Sequence, residues 1–212
     1  MKKKYTAYFF DFDGVIADSV EIKTRAFETI FAEYGSGIVR RVADHHRKNG
    51  GMPRREKFEH YLQQFLDVKP GRKQLDHLCA VFSRIVVEKV IAAPEIPGAE
   101  QYIRSVSKKA PCFIISGTPD EELKLIVKGR GLEPFFEEVM GSGKKKYQHL
   151  CEKMEKYNFK PAKCVFFGDA SSDLRAAGAA GVDFIGILSG PDAPLLRDNP
   201  GIRWYRDFTE AN

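Results

Sequence analysis

Four short apolar runs bounded by polar residues or glycine constrain this chain most: Tyr5–Phe12, Pro111–Ser116, Cys164–Gly168 and Asp183–Leu188. Their near-continuous apolar character is that of parallel strands covered on both faces. Glu138–Gly141 is a weaker fifth candidate. Helical patterns separate the runs, at Gly98–Lys109, Asp120–Gly129, Lys145–Tyr157 and Ser172–Ala180. Proline and acids after Thr118 mark a helix start, and Gly129 and Gly181 mark helix stops. Alternating strands and helices predict an α/β fold built on a doubly wound parallel sheet.

The alternation breaks after the first strand. Val20–Tyr34, Val39–Lys48, Arg54–Leu66 and Arg72–Ile91 read as helices, with no convincing strand among them. Gly50-Gly51-Met52-Pro53 is a sharp turn in the middle, and Pro94-Glu95-Ile96-Pro97-Gly98 marks the return to the alternating pattern. The expected organisation is a core of residues 1–18 and 95–212 carrying a helical insert at 19–94. A chain of 212 residues is long enough for such a domain and its insert.

Charged residues make up 30% of the chain and hydrophobic residues 43%, which excludes a fibrous or generally disordered protein. No apolar run approaches the ~18 residues needed to span a membrane. The start, Met1-Lys2-Lys3-Lys4, imitates the basic end of a signal peptide, but Asp11 and Asp13 interrupt the apolar stretch that follows. Cys79, Cys112, Cys151 and Cys164 are widely spaced and read as reduced thiols. A cytoplasmic location is expected. The net charge of +5 is concentrated: Arg40, Arg41, Arg47, Lys48, Arg54, Arg55 and Lys57 face only Asp44 and Glu56 in that window, and the rest of the chain balances. The window is either a solvated helix face or a patch that meets an anion. Nucleic acid is the weaker partner, because no stacking motif or recognition-helix pattern accompanies the charge.

The chemistry-bearing residues fall at strand ends. The first strand runs into Phe10-Asp11-Phe12-Asp13-Gly14-Val15. Carboxylates two apart on a strand share a face, and at the carboxyl edge of a parallel sheet they enter the ligand crevice. Two acids so close need a proton or a cation between them. Ile115-Ser116-Gly117-Thr118 places hydroxyls and backbone amides before a helix, a potential anion site. Phe167-Gly168-Asp169-Ala170-Ser171-Ser172-Asp173 brings two further acids. Oxygen ligands from two strands suit Mg²⁺, although Asp173 could equally cap its helix. One of Lys144, Lys145 and Lys146 could pair with a phosphate and a carboxylate; the residue chemistry does not say which.

Taken together these motifs resemble those of the haloacid dehalogenase superfamily, and the resemblance covers essentially the whole chain. Asp11-x-Asp13-Gly14-Val15 with Asp18-Ser19 is similar to its first motif, and Ser116-Gly117-Thr118 to its second. Gly141-Ser142 followed by Lys146 and Leu150 is similar to its third, a spacing that selects Lys146. Gly168-Asp169 with Asp173 is similar to its fourth. Each motif is degenerate; four in order are specific. A helical insert after the first motif resembles the branch containing phosphoglycolate phosphatase and β-phosphoglucomutase.

The resemblance implies a Rossmann-like core, a mobile α-helical cap and an aspartyl-phosphate mechanism. Asp11 would be the nucleophile and Asp13 the general acid and base, the latter aided by a raised pKa. Mg²⁺ would be held by Asp11, Asp169 and the Asp13 carbonyl, with Asp173 in support. Ser116, Gly117, Thr118 and Lys146 would hold the phosphoryl group. Cap hinges are expected near Ile16–Ser19 and Ala93–Pro97. The turn before Arg54 is similar to the mutase's cap turn, so Arg54 or Arg55 could clamp a distal phosphate or carboxylate. Lys23 stands where the mutase has a histidine, which favours a hydrolase over a mutase and leaves Lys23 able to face substrate. The pair His45-His46 has no metal-ligand companions at suitable spacing and reads as surface. The expected function is a Mg²⁺-dependent phosphatase acting on a small phosphorylated metabolite, as a monomer or weak homo-oligomer, without nucleic-acid or membrane partners. The alternatives are a sugar phosphomutase and a catalytically idle metabolite-binding protein.

Overall fold

A computed structural model describes residues 4–211; the first three residues of the lysine-rich start lie outside it. Five strands follow the apolar runs: β1 (Ala7–Phe10), β2 (Cys112–Ile115), β3 (Glu138–Met140), β4 (Cys164–Gly168) and β5 (Asp183–Ile187). A sixth, β6 (Trp204–Tyr205), was not expected from the sequence. At two residues between Arg203 and Arg206 it is too short to leave a periodic signal. All neighbouring strands are parallel, in the order β3-β2-β1-β4-β5-β6. The chain therefore walks one way from β1 to β3 and then crosses back to β4 on the other side of β1. That reversal leaves a crevice at the carboxyl ends of β1 and β4.

The central strands are apolar throughout because both faces are covered. Phe9 pairs in register with Phe113 and Phe166 on one face, and Phe10 with Ile114 and Phe167 on the other. Phe9 stacks on Phe113 at 4.9 Å and Phe10 on Phe167 at 5.1 Å. The Phe9 face packs under α7 (Lys146–Lys156) and α8 (Ser171–Ala180) through Leu150, Met154 and Ala177. The Phe10 face packs under α5 (Ala99–Val106) and Phe208, and its apolar cluster continues into α6 (Asp120–Gly129). Helix α6 ends at Gly129, as expected, and a left-handed glycine follows at Gly131 (φ 67°). Gly181 does terminate α8, at φ 69°. A short α9 (Pro194–Asp198) completes the helices after β5.

Between β1 and α5 lie α1 (Val20–Ile30), α2 (Ser36–Lys48), α3 (Arg54–Leu66) and α4 (Arg72–Ile91). They pack around Phe27, whose ring lies 4.4 Å from Phe82, 5.2 Å from Phe58 and 5.5 Å from Tyr61. Two connections join this bundle to the sheet and run side by side. Ala17 bridges to Glu95, Asp18 N–H donates to Pro94 O, and Ile96 N–H donates to Ile16 O. No helix among the described residues is long and apolar enough to cross a membrane. All four cysteines are free; Cys112 and Cys164 are buried, and Cys79 and Cys151 are half-buried.

Phe10 touches Phe167, Tyr102, Phe136 and Phe208 in the centre of the sheet. Phe10→Ala is expected to cost about 3–5 kcal/mol in urea unfolding; a loss under about 1 kcal/mol would contradict this packing account.

Candidate active site

Chain reversal between β1 and β4 sets Asp11 and Asp169 beside each other, each just past its strand. Asp11 N–H donates to Phe167 O of β4 at 2.8 Å, and the Asp11 carboxylate accepts the Phe12 N–H at 2.7 Å. The turn that follows needs glycine twice over. Gly14 has φ 77°, and a Cβ there would lie 2.3 Å from an Asp169 carboxylate oxygen. At the start of α8, Asp173 accepts the Ala170 N–H through Oδ2 and the Lys146 ammonium through Oδ1 at 2.6 Å. It serves at once as a helix-start acceptor and as a member of the site. Lys146, buried at the first residue of α7, also reaches Asp11 Oδ2 at 2.7 Å. Lys144 and Lys145 are exposed, and Lys144 pairs outward with Glu152.

Carboxylate oxygens of Asp11, Asp169 and Asp173 lie within 4.8 Å of one another. Only one lysine, Lys146, is paired with this group, and no ion pair joins Asp169 among the described residues. Burial, aided by Asp173 and Asp13, pushes the Asp11 carboxyl up to about 7 against the pull of Lys146. Burial together with Asp11 and Asp173 raises Asp169 well above the carboxylate range. This is an excess of clustered negative charge, with hard oxygen donors that suit a divalent cation such as Mg²⁺. Asp11 and Asp173 each share Lys146 and accept a backbone N–H, and Asp169 is the carboxylate of the three with no ion pair among the described residues.

Asp13 faces elsewhere. Its carboxylate accepts Ser19 Oγ at 2.6 Å, Lys23 Nζ at 2.5 Å and Thr118 Oγ1 at 3.2 Å. Burial alone would raise its pKa, as expected from the sequence, but Lys23, Ser19 and Thr118 outweigh burial and hold it below the usual range. The expectation of a raised value overlooked Lys23, which lies one turn into α1 and reaches both Asp13 and Thr118.

Asp11, Asp13 and Asp169 open into a cavity with an empty volume of about 540 Å³, part of it open to solvent. Its other walls are Gly117 and Thr118 of the core and Lys23, Phe27, His46, Arg54, Lys57 and Phe82 of the insert. The Gly50–Met52 turn closes against the core. A Cβ on Gly51 would lie 1.8 Å from Ser172 Oγ, and one on Gly117 would lie 3.4 Å from Gly51 O. Ser116 is buried, accepts the Thr118 N–H through Oγ, and lines a neighbouring space together with Lys146.

A profile of the family described as haloacid dehalogenase-like hydrolase matches residues 8–187. The chain belongs to this family. Among curated relatives of this hydrolase, a phosphorylated carbohydrates phosphatase from Thermotoga maritima is 26% identical over 189 residues, 84% of this chain and 83% of that protein. A phosphoglycolate phosphatase from Psychrobacter arcticus is 26% identical over 196 residues, 85% of this chain and 82% of that protein. The crystal structure of a haloacid dehalogenase-like hydrolase from Bacteroides fragilis superposes with a TM-score of 0.79 at 22% identity, covering 99% of this chain and 100% of that one. The Rossmann-like sheet and its flanking helices are thus the fold of these hydrolases.

For this hydrolase the structure assembles Asp11, Asp13, Asp169, Asp173, Lys146, Ser116, Gly117, Thr118 and Lys23 at one sheet edge. Arg55 is not among them: it is exposed and pairs with Asp76. Arg54 lines the cavity, but its guanidinium bonds both oxygens of Glu122 in α6 and also Ser83 Oγ, and only Nε lacks a partner. His46, expected at the surface, is 4% exposed; it sits under α1 against Phe27 at 5.0 Å. His46 and Lys57 were not singled out as site residues. Helical spacing held their signal, since Val42, Ala43 and His46 share the buried face of α2, and Arg54, Lys57, Phe58 and Tyr61 that of α3.

A raised folded-state pKa at Asp11 stabilises the metal-free protein fully below about pH 4, its unfolded value, and that contribution is lost as pH rises through about 7. A divalent cation competes with those protons. Mg²⁺ is therefore expected to raise Tm more near pH 8 than near pH 5 in thermal melts. Equal increments at both pH values would show that the cation does not bind at these carboxylates.

Proposed function

We propose that the protein is a Mg²⁺-dependent phosphatase that hydrolyses a small phosphomonoester through an aspartyl-phosphate on Asp11. The observation that carries this reading is the setting of Asp11. Its carboxylate is fixed by the Phe12 N–H on one oxygen and Lys146 on the other, and it lines the cavity between the sheet edge and the helical insert. The phosphatase names of the relatives from Thermotoga maritima and Psychrobacter arcticus point to the same chemistry.

In this reading an Asp11 oxygen bonds to phosphorus as the ester oxygen leaves with the bonding pair. The leaving oxygen takes a proton from the Asp13 cluster, where Lys23 Nζ supplies the proton 2.5 Å from the carboxylate. A water then attacks the same phosphorus, Asp13 accepts its proton and passes it back to Lys23 Nζ, and the Asp11 carboxylate is restored with phosphate released. An ionised Asp13 suits this second half directly. Lys146, the Ser116 hydroxyl and the Gly117 amide steady the phosphoryl oxygens while their charge redistributes. Bound at Asp11 and Asp169, with Asp173 holding Lys146 in place and the Asp13 carbonyl as a further donor, Mg²⁺ would neutralise charge on the phosphoryl group.

Residues 19–94 act as a cap on the core of residues 1–18 and 95–212. The paired connections at Ala17 and Glu95 are the natural hinge, since two adjacent single strands can bend together. The closed cap excludes water that would otherwise surround the reacting group.

Asp11→Asn is expected to lower phosphate release from a panel of phosphometabolites by at least ~10³-fold while leaving the melting curve near that of the wild type. Full activity in the variant would remove Asp11 from the nucleophile role. Conversion of a hexose 1-phosphate to its 6-phosphate, without free phosphate, would replace hydrolysis by phosphomutase chemistry.

A further inference from the structure

Lys146 can bridge Asp11 and Asp173 only while the first turn of α7 is held in place against the sheet edge. The segment that leads to it favours no single conformation. Between β3 and α7 run Gly141-Ser142-Gly143-Lys144-Lys145, with two glycines and no apolar side chain to pack. Gly143, Lys144 and Lys145 are exposed. Hydrogen bonds hold this loop instead, and they converge on Gly141 and its neighbour.

Gly141 is buried, and its N–H donates to Asp120 Oδ1 at 2.8 Å. The next N–H, of Ser142, donates to the Thr118 carbonyl at 2.9 Å. A Cβ on Gly141 would lie 2.3 Å from Thr118 O and 2.6 Å from Asp120 N, so the loop rests directly on the segment that follows β2. That segment carries Ser116, Gly117 and Thr118. The Gly141 carbonyl is met by Nε2 of His149 at 2.9 Å, and no other hydrogen bond reaches it among the described residues. A carbonyl only accepts, so Nε2 carries the hydrogen. His149 is 7% exposed and stands three residues after Lys146, on the same buried face of α7. It reaches back from the helix that bears Lys146 to the first residue of the loop. Without it a buried carbonyl is left unpaired, and the first turn of α7 is released from the Thr118 segment. His149 lines neither the cavity that holds Asp11 nor the neighbouring space, so it acts through Lys146 and not on substrate.

We propose that His149 is a positioning residue for phosphoryl transfer. By holding the Gly141 carbonyl it fixes the Lys146 ammonium relative to the Ser116 hydroxyl and the Gly117 amide. This rests on the phosphatase reading for what those groups hold. Charge on the phosphoryl oxygens redistributes in the transition state, where a displaced ammonium matters most. Substrate binding draws on the whole cavity and depends less on that one group. Loss of His149 therefore lowers kcat and leaves KM nearly unchanged.

The test compares His149→Leu, which cannot donate, with His149→Gln, whose amide nitrogen stands close to the place of Nε2. His149→Asn, whose amide is too short to reach Gly141, replaces the leucine variant if that one does not fold. Phosphate release is measured from the best ester of a phosphometabolite panel. Binding of orthovanadate, which mimics five-coordinate phosphorus, is measured by calorimetry with Mg²⁺ and set against binding of inorganic phosphate. His149→Leu is expected to lower kcat by about 10- to 100-fold, the scale of a small misplacement, with KM within about threefold of wild type. Vanadate binding should weaken by a similar factor and phosphate binding by less than about threefold. His149→Gln should bring kcat and vanadate binding back to within about fivefold of wild type. A folded leucine or asparagine variant with kcat and vanadate binding intact overturns the proposal. So does a loss that glutamine does not restore, or one in which phosphate binding falls as far as vanadate binding. A wild type that releases no phosphate from any ester, while vanadate binding still follows the leucine and glutamine pattern, rejects the phosphatase reading and leaves the positioning role standing.

Discussion

One ammonium between two carboxylates organises the acidic edge of this protein. Lys146 spans Asp11 and Asp173 at 2.7 and 2.6 Å, and each partner comes from a different element. Asp11 follows β1, Lys146 opens α7 and Asp173 sits in the first turn of α8. The bridge therefore ties the central strand to the two helices on one face of the sheet. It also fixes what the site lacks. Asp169 adds a carboxylate with no cation of its own among the described residues, so the edge carries an unbalanced negative charge that invites a metal ion. Even the glycines follow from this crowding. A Cβ on Gly168 would lie 2.4 Å from the Asp173 Cβ, and one on Gly14 would strike Asp169. The three carboxylates can converge only because the chain is bare at these points.

The helical insert presents the opposite imbalance across the cavity. Of the seven basic side chains in its charged window, Arg47, Arg54 and Arg55 pair with Glu21, Glu122 and Asp76, and Lys57 is buried without an ion pair among the described residues. Acidic side chains of the core and basic side chains of the insert face one another across the cavity.

Much of this was legible in the sequence because strand ends in a parallel sheet are marked twice, by an apolar run and by the polar residues that terminate it. Asp11, Ser116 and Asp169 each stand at such a boundary. Residue chemistry left Lys144, Lys145 and Lys146 open, and the resemblance to the family's third motif singled out Lys146. The insert was harder to read. Its helices were evident from periodicity, but which of its cations would be matched depends on acids far along the chain. Glu122 lies 68 residues from Arg54, and nothing local links them. Lys23 and Asp13, ten apart, form a contact that inverts the expected pKa of Asp13. His46 read as surface because a histidine pair in a basic helix looks solvated until the helix face is known. β6 escaped notice for want of length.

The central claim is that phosphoryl transfer passes through Asp11 and therefore takes two displacements at phosphorus. The most direct measurement is the stereochemical course of hydrolysis, using a thiophosphate ester made chiral with oxygen isotopes and cleaved in isotopically labelled water. Two in-line displacements invert the centre twice, so the account expects net retention. Net inversion would mean that water attacks the substrate directly and would contradict the account.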